Sequence, residues 1–565
     1  MLSRREALGA GVSALAMGML GRSALAKPPG CPNTGAFPWI TSAPIRALWN
    51  LPDSIMVDGF PFAPWWTGDS WANDFMPFHH AENVFPGGSP PPPTESVDVA
   101  IIGGGLSGLT SAYLLREHDF VLFDLRATFG GACTGEAWGG VPYSLGSAYF
   151  ITPDEGTFLD RLYRDLGVDR LYRLSSGEDP VGYQSQIVHN LFRRHSTPAI
   201  EREAYQRYSR MVDFYAEQYP DIPLDPAGDT TWIRQLDTMT FKQHVEQTIG
   251  MQAPPLLASM IQGYFYSSFG AGWEEVSAAS GWNFVAAEEF GRWVLPGGNA
   301  GLAQALFAKL AQRETAPGAC PGQRLRAGCR VADVRLIHGG VQVTYRDAHG
   351  AFRSLKARKV VMACSKHIAK YMIHDLETLA PGRFEDYSSI PYCCYMVMNV
   401  LLTRPIRQNF YDLFLLYDGQ YPRDGNEAEQ WSRVVDALNG AYAVPHGPNS
   451  VLTLYWPLPY ALARVQELND EAWLRNATSL APRLREILAL LNLRERDVRQ
   501  IRMTRWGHAF PIAERGLIAD GVLERVRQPI DDRIYFVNQD NWALPAVETC
   551  LLEAAEFAPK VARGL

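Results

Sequence analysis

The sequence predicts an α/β protein with a Rossmann-like dinucleotide-binding domain. A second, α+β domain with a mixed or antiparallel sheet is joined to it. Three stretches carry this expectation. Val97–Gly131 reads as strand, glycine turn, helix, strand and acid. Residues 329–363 read as alternating apolar strands, and residues 533–540 as a further strand that ends on an acid before a last helix. A chain of 565 residues exceeds what one core normally accommodates, so at least two domains are expected.

The first stretch can be justified residue by residue. Val97-Asp98-Val99-Ala100-Ile101-Ile102 has the apolar content of a buried strand, and Gly103, Gly104, Gly105 and Gly108 follow it. A helix over Leu109–Leu115 and an apolar strand over Phe120–Phe123 lead to Asp124, 21 residues after Gly103. This is the order of a dinucleotide-binding unit. Gly103 permits the tight turn. Gly105, with Leu106 and Ser107, brings backbone N–H groups against a pyrophosphate at the helix N-terminus, and Gly108 lets helix and strand pack closely. Asp124 stands where an acid binds the adenosine ribose hydroxyls.

Asp124-Leu125-Arg126, followed by Phe129-Gly130-Gly131, resembles the second FAD motif of the flavin-containing amine oxidases. Relatives of that family include protoporphyrinogen oxidases, carotenoid-type desaturases and polyamine dehydrogenases. The resemblance implies a discontinuous Rossmann-like FAD-binding domain, with Gly130 and Gly131 close to the cofactor's phosphates. Ala132 stands where the family usually has arginine, which removes one cationic contact. Pro296-Gly297-Gly298, leading to Leu302, resembles the family's glycine turn beside the flavin. Val331, in the returning strands, matches the position that supports the adenine end. Asp540 and Ala546-Val547-Glu548-Thr549 resemble the C-terminal motif. There the acid binds a ribitol hydroxyl, and the helix N-terminus faces the flavin edge that becomes negative on reduction. Gln539 and Thr549 replace glycines of that motif.

These matches divide the chain. Residues 97–155, 286–370 and 501–565 are expected to form the FAD-binding domain. Residues 156–285, mostly helical, and 371–500, with strands and a helix, are expected to form the substrate domain. Helices are expected over Thr157–Leu166, Glu201–Gln218, Thr240–Ile249, Leu302–Ala311 and Asp470–Leu491, and buried strands over Tyr392–Leu402 and Val451–Trp456. Tyr264, Phe265, Tyr266 and Phe269 form an aromatic cluster, read either as core or as the wall of a substrate cavity.

The first 26 residues look like a twin-arginine export signal, with Arg4-Arg5, a modestly apolar run from Gly9 to Leu20, and Ala24-Leu25-Ala26 at a cleavage site. A periplasmic protein exported by the twin-arginine machinery is expected, with a periplasmic electron acceptor as partner. Removing residues 1–26, with three arginines and one acid, takes the net charge from −8 to −10. That charge, with no long basic run, speaks against nucleic acid and suits a cationic small molecule. No run reaches the roughly 18 apolar residues of a membrane span. Residues 27–96 form an aromatic and proline-rich extension with the pair His79-His80, read as surface residues. No cysteine or histidine spacing suggests a metal. Cys320 and Cys329 are the cysteines best placed for a disulfide, and Cys393 and Cys394 should point to opposite faces of a strand.

Two residues are candidates for chemistry: Trp506, as an aromatic wall near the flavin, and His508, for proton handling. Amine oxidases of the family commonly hold a water against the flavin with a strand lysine. Here no lysine lies between Lys370 and Lys560, and the nearest strand equivalents are Met396, Met398 and Asn399. The absence counts against a fast oxidase and toward a dehydrogenase that passes electrons to another acceptor, or a desaturase-type reaction. Three readings follow: an amine oxidoreductase, a desaturase or double-bond isomerase of an apolar unsaturated substrate, or a flavin-binding protein without catalysis. An acidic or aromatic cage favours the first, a long apolar tunnel the second, and a blocked flavin face the third.

Overall fold

The computed structural model describes residues 43–70, 88–314, 322–416, 434–444, 447–458 and 471–565. The export-signal stretch, Cys31, His79-His80 and Cys320 lie outside them. Cys329 is a free, buried thiol.

Among the described residues seven strands form the cofactor sheet. Leu325–Arg326, Phe120–Phe123, Glu95–Ile102 and Phe352–Met362 lie parallel in that order, and Ile534–Phe536 pairs in parallel with Phe352–Met362. Gly340–Arg346 and Arg330–Ile337 add antiparallel strands at one side. Parallel strands are covered on both faces, which is why Val99-Ala100-Ile101-Ile102 and Phe120–Phe123 read as unbroken apolar runs. One apolar cluster joins Val99, Ile101 and Leu122 to Leu109, Leu306 and Leu551, which belong to the helices Leu106–Leu114, Asn299–Glu314 and Val547–Ala562. The expected helix at 109 begins three residues earlier, because Gly105 already serves as its N-cap.

Among the described residues a second sheet of ten strands is built around Cys394–Leu402, buried along its whole length. Ser450–Leu458 and Val498–Trp506 flank it, both antiparallel. Its faces go to different cores, as period-two alternation requires. Met396 and Met398 pack with Leu480 and Leu484 of the helix Ala472–Leu490, whereas Tyr395 and Val397 face the helical layer. Cys393 and Cys394 divide between the same two cores.

The N-terminal extension is part of this sheet. Phe60–Phe62 and Thr67–Gly68 pair in parallel with Val498–Trp506, and Ile55–Val57 closes a hairpin on Phe60–Phe62. Further upstream, Ile45–Ala47 pairs with Gly135–Trp138 of the cofactor side.

The helical layer comprises Ala199–Glu217, Thr231–Asp237, Phe241–Ile249, Pro255–Phe269 and Ala278–Ala287. Local chemistry sets its ends. Thr240 and Gln243 form a capping box, and Gly250 and Gly270 end their helices in left-handed conformation. The cluster Tyr264–Tyr266 with Phe269 belongs to the core: Phe265 and Phe269 are fully buried and pack on one another, Phe265 also against Phe241 and Phe269 against Phe284. The next turn, Ser267 and Ser268, reaches the cavity instead. Among the described residues no helix is long and apolar enough to cross a membrane.

Candidate active site

One cavity of about 900 Å³ runs from the glycine turn of the cofactor sheet to the inner face of the ten-stranded sheet. At its nucleotide end, Gly103 has φ +107° against the backbone of Ala363 and Cys364, a conformation and a closeness that a side chain would not tolerate. A Cβ on Gly108 would fall 1.8 Å from the Gly103 carbonyl oxygen, so this glycine serves helix packing and does not line the cavity. A Cβ on Gly105, by contrast, would meet nothing closer than Gly131 Cα at 3.8 Å. It would occupy the open space between two glycine turns.

The acid is held in place by the same turns. The backbone N–H of Gly104 donates to Asp124 Oδ2 at 2.9 Å, and that of Arg126 to Oδ1 at 2.7 Å. Leu106, Ser107, Leu125, Gly130, Gly131, Ala132 and Val331 complete this end of the wall. Pro296, Gly297 and Gly298 do not reach the cavity, which corrects their assignment as contacts. Gly298 lies against the backbone of Ala148, with its Cβ position 3.0 Å from Ala148 Cα, so the turn supports a wall residue from behind.

At the other end, Ala546, Val547, Glu548 and Thr549 open the last helix into the cavity, and no side chain caps its N-terminus. The Thr549 hydroxyl is buried and has no hydrogen-bond partner among the described residues. Glu548 is turned toward the protein: its Oε1 accepts from the Ile151 N–H at 2.7 Å, and burial pushes its carboxyl up. Asp540 Oδ2 accepts from the Lys366 N–H at 2.7 Å and from the Tyr392 hydroxyl at 2.6 Å. Two uncapped helix N-termini, an acid fixed beside a glycine turn and a buried orphan hydroxyl in one cavity form a donor set that fits FAD.

Trp506 and His508 line the same space. The Trp506 indole N–H donates to the Leu145 carbonyl at 2.8 Å, which fixes the plane of the ring. The His508 ring stacks on His367 at 4.3 Å. The strand residues that face the cavity are Tyr395 and Val397, not Met396 or Met398. Asn399 is buried and donates to the Ser144 carbonyl at 3.0 Å. Alternation along 394–402 carries this information, but the face can be chosen only once the flanking core is known.

Other wall residues had no motif to announce them. Tyr395 and Tyr455 stand edge to face, centroids 5.5 Å apart at 89°, and each hydroxyl is tied to a wall carbonyl: Tyr395 to Ser267 at 3.0 Å and Tyr455 to Gly146 at 2.7 Å. Glu288 accepts from Tyr149 at 2.6 Å and from Tyr264 at 3.2 Å, and lies 3.2 Å from the Arg292 guanidinium. Its burial outweighs these partners and raises its carboxyl. Behind the wall the Ser267 hydroxyl donates to Asp436 at 2.7 Å, and burial raises that carboxyl too. Asp221 also lines this end. Among the described residues no group of three or more His, Cys, Asp or Glu side chains is arranged to hold a metal.

Comparison with known proteins agrees with this geometry. Residues 101–166 match the NAD(P)-binding Rossmann-like domain. The oxidoreductase PigB of Serratia sp. (strain ATCC 39006) is 20% identical over 83% of this chain and 75% of its own length. Flavin-containing amine oxidase A of Canis lupus familiaris is 29% identical over 166 residues, 29% of this chain and 31% of that enzyme. The chain is thus similar to an oxidoreductase along most of its length and to flavin-containing amine oxidases over a shorter stretch. The structure of a putrescine oxidase double mutant superposes on the fold with a TM-score of 0.59 at 18% identity, covering 83% of this chain and 99% of the other. The chain therefore shares the fold of that structure at very low identity, and among the described residues its ten-stranded sheet incorporates the N-terminal extension.

Proposed function

We propose that the protein oxidises the C–N bond of an amine and works as a dehydrogenase. The observation that carries this reading is the presence of the Tyr395–Tyr455 pair in one cavity with the acids Glu288 and Asp221. Perpendicular aromatic faces bracket a small polar carbon–nitrogen unit, and the Glu288 and Asp221 carboxyls, raised by burial, offer hydrogen bonds to an amine and leave it neutral, the form that gives up hydride. FAD, when bound, supplies the two-electron acceptor for hydride.

The chain's own residues do the rest. Trp506, fixed by the Leu145 carbonyl, closes one wall, Tyr395 and Tyr455 orient the substrate, and the apolar side chains Val397 and Phe284 keep water away from the reacting carbon. His508 is available at the cavity surface to take a proton. The dehydrogenase reading rests on Val397 and Tyr395 at the strand positions facing the cavity, and on the absence of lysine from the described lining. The amino-terminal twin-arginine pattern supports export to the periplasm, where a separate acceptor would reoxidise the enzyme.

Anaerobic mixing of the holoenzyme with a panel of amines and unsaturated lipids tests the reading. The expected result is bleaching of the flavin absorbance by an amine, slow recovery in air and fast recovery with an artificial acceptor. Rapid recovery in air would make the protein an oxidase. Turnover of a lipid, with no bleaching by any amine, would replace the reading by a desaturase or isomerase acting along the apolar lining of Ala216, Ile222 and Phe290.

A further inference from the structure

We propose that Asp69, carried into the cofactor cavity by the N-terminal extension, is a positioning residue for FAD binding that acts through Arg126. The described lining holds seven carboxylates and two arginines, Arg126 and Arg330, and no lysine. A cavity with that balance repels the pyrophosphate it has to accommodate, so the placement of each arginine matters.

Arg126 is held from two sides. Its Nη2 donates to Asp69 Oδ1, and its guanidinium carbon lies 5.1 Å from the centroid of the Trp506 ring. Asp69 is itself anchored. Its N–H donates to the Arg505 carbonyl at 2.8 Å, the Arg505 Nε donates to the Asp69 carbonyl at 3.0 Å, and its Oδ2 accepts from the Gly507 N–H at 2.8 Å. Asp69 is 5% exposed. The approach depends on Gly68, with φ +82°, where a Cβ would fall 2.3 Å from the Arg505 carbonyl oxygen.

The arrangement assigns different tasks to the two carboxylate oxygens. Oδ2 fastens the turn that carries His508, and Oδ1 directs Arg126. A fixed arginine loses less side-chain freedom when an anion binds than a free one does. The extension thereby becomes part of the cofactor site even though it precedes the first FAD strand in the chain.

The test is FAD titration of deflavinated protein, followed by flavin fluorescence, for the wild type, Asp69→Asn, Asp69→Glu, Arg126→Gln and the double variant Asp69→Asn/Arg126→Gln. Asparagine can still accept from Gly507 but lacks the charge that holds Arg126. Asp69→Asn and Arg126→Gln are each expected to weaken FAD binding about tenfold, Asp69→Glu less, and the double variant no more than Arg126→Gln alone. Wild-type FAD affinity in Asp69→Asn, or losses that add in the double variant, would overturn the proposal. If Asp69→Asn lowers the melting temperature of the apoprotein, the comparison of Arg126→Gln with wild type decides: equal FAD affinity of the two refutes the proposal.

Discussion

At Asp436 a carboxyl is fully buried beside Ser267, with Asp179, Asp412 and Arg292 in its field. Burial outweighs the partners and raises its pKa, so the folded state favours the protonated form. Stability from this group is present at low pH and is lost as pH rises through the raised value. Asp436→Asn, which mimics the neutral acid, should therefore melt higher than the wild type at about pH 9 and close to it at about pH 5. Thermal melts at the two pH values check the sign. Glu288 is also raised, by desolvation, but it faces the cavity. Glu288→Gln should raise KM for an amine about tenfold, while the melting temperature at acidic pH changes little. Steady-state kinetics with an artificial acceptor would measure the split between KM and kcat.

At the scale of an element, the strand–turn–helix unit from Glu95 to Leu114 separates two uses of glycine. Gly105→Ala adds a methyl group where the protein offers 3.8 Å of clearance, so the apoprotein should fold and FAD binding should fail. Gly108→Ala forces a methyl group to within 1.8 Å of the Gly103 carbonyl, so it should destabilise the fold itself, by about 1–3 kcal/mol, before any ligand is added. Denaturant titration of both apoproteins, with the FAD:protein ratio after purification, distinguishes the two. Both roles follow from motif spacing, because a close turn imposes its demands locally. The Pro296–Gly298 turn resembled a cofactor contact equally well, yet it packs behind Ala148. Whether a turn faces the ligand or its support depends on what lies on its other side.

Across the whole molecule, Glu136 connects three parts. It lies on the cofactor-side strand Gly135–Trp138 and forms a buried pair with Arg502 of the ten-stranded sheet, with Arg502 Nη2 donating to Oε1 at 2.7 Å. Arg46 of the extension approaches the same oxygen at 2.6 Å, and Tyr143 donates to Oε2 at 2.7 Å. Burial alone would raise this carboxyl, but Arg502 overcomes it and the net shift is downward. Its stabilising contribution is accordingly present at neutral pH and lost as pH falls through the lowered value, opposite to Asp436. Glu136→Ala leaves the Arg502 charge buried and should cost about 3–5 kcal/mol in a denaturant titration at pH 7.

The sequence by itself determined the cofactor half: the strands, the turn at Gly103–Gly108, the acid Asp124 and the last helix after Ala546. Each is specified by residues adjacent in the chain, through apolar runs and the conformations that only glycine adopts cheaply. Tertiary structure alone decided the substrate half. Tyr395 and Tyr455 come from strands 60 positions apart, Glu288 and Ser267 from two different helices, and Asp69 from the extension. A strand's alternation says that two faces differ, but not which face meets the cavity. That choice is made by the helix Ala472–Leu490, which claims Met396 and Met398 for its own core and leaves Tyr395 and Val397 to the site.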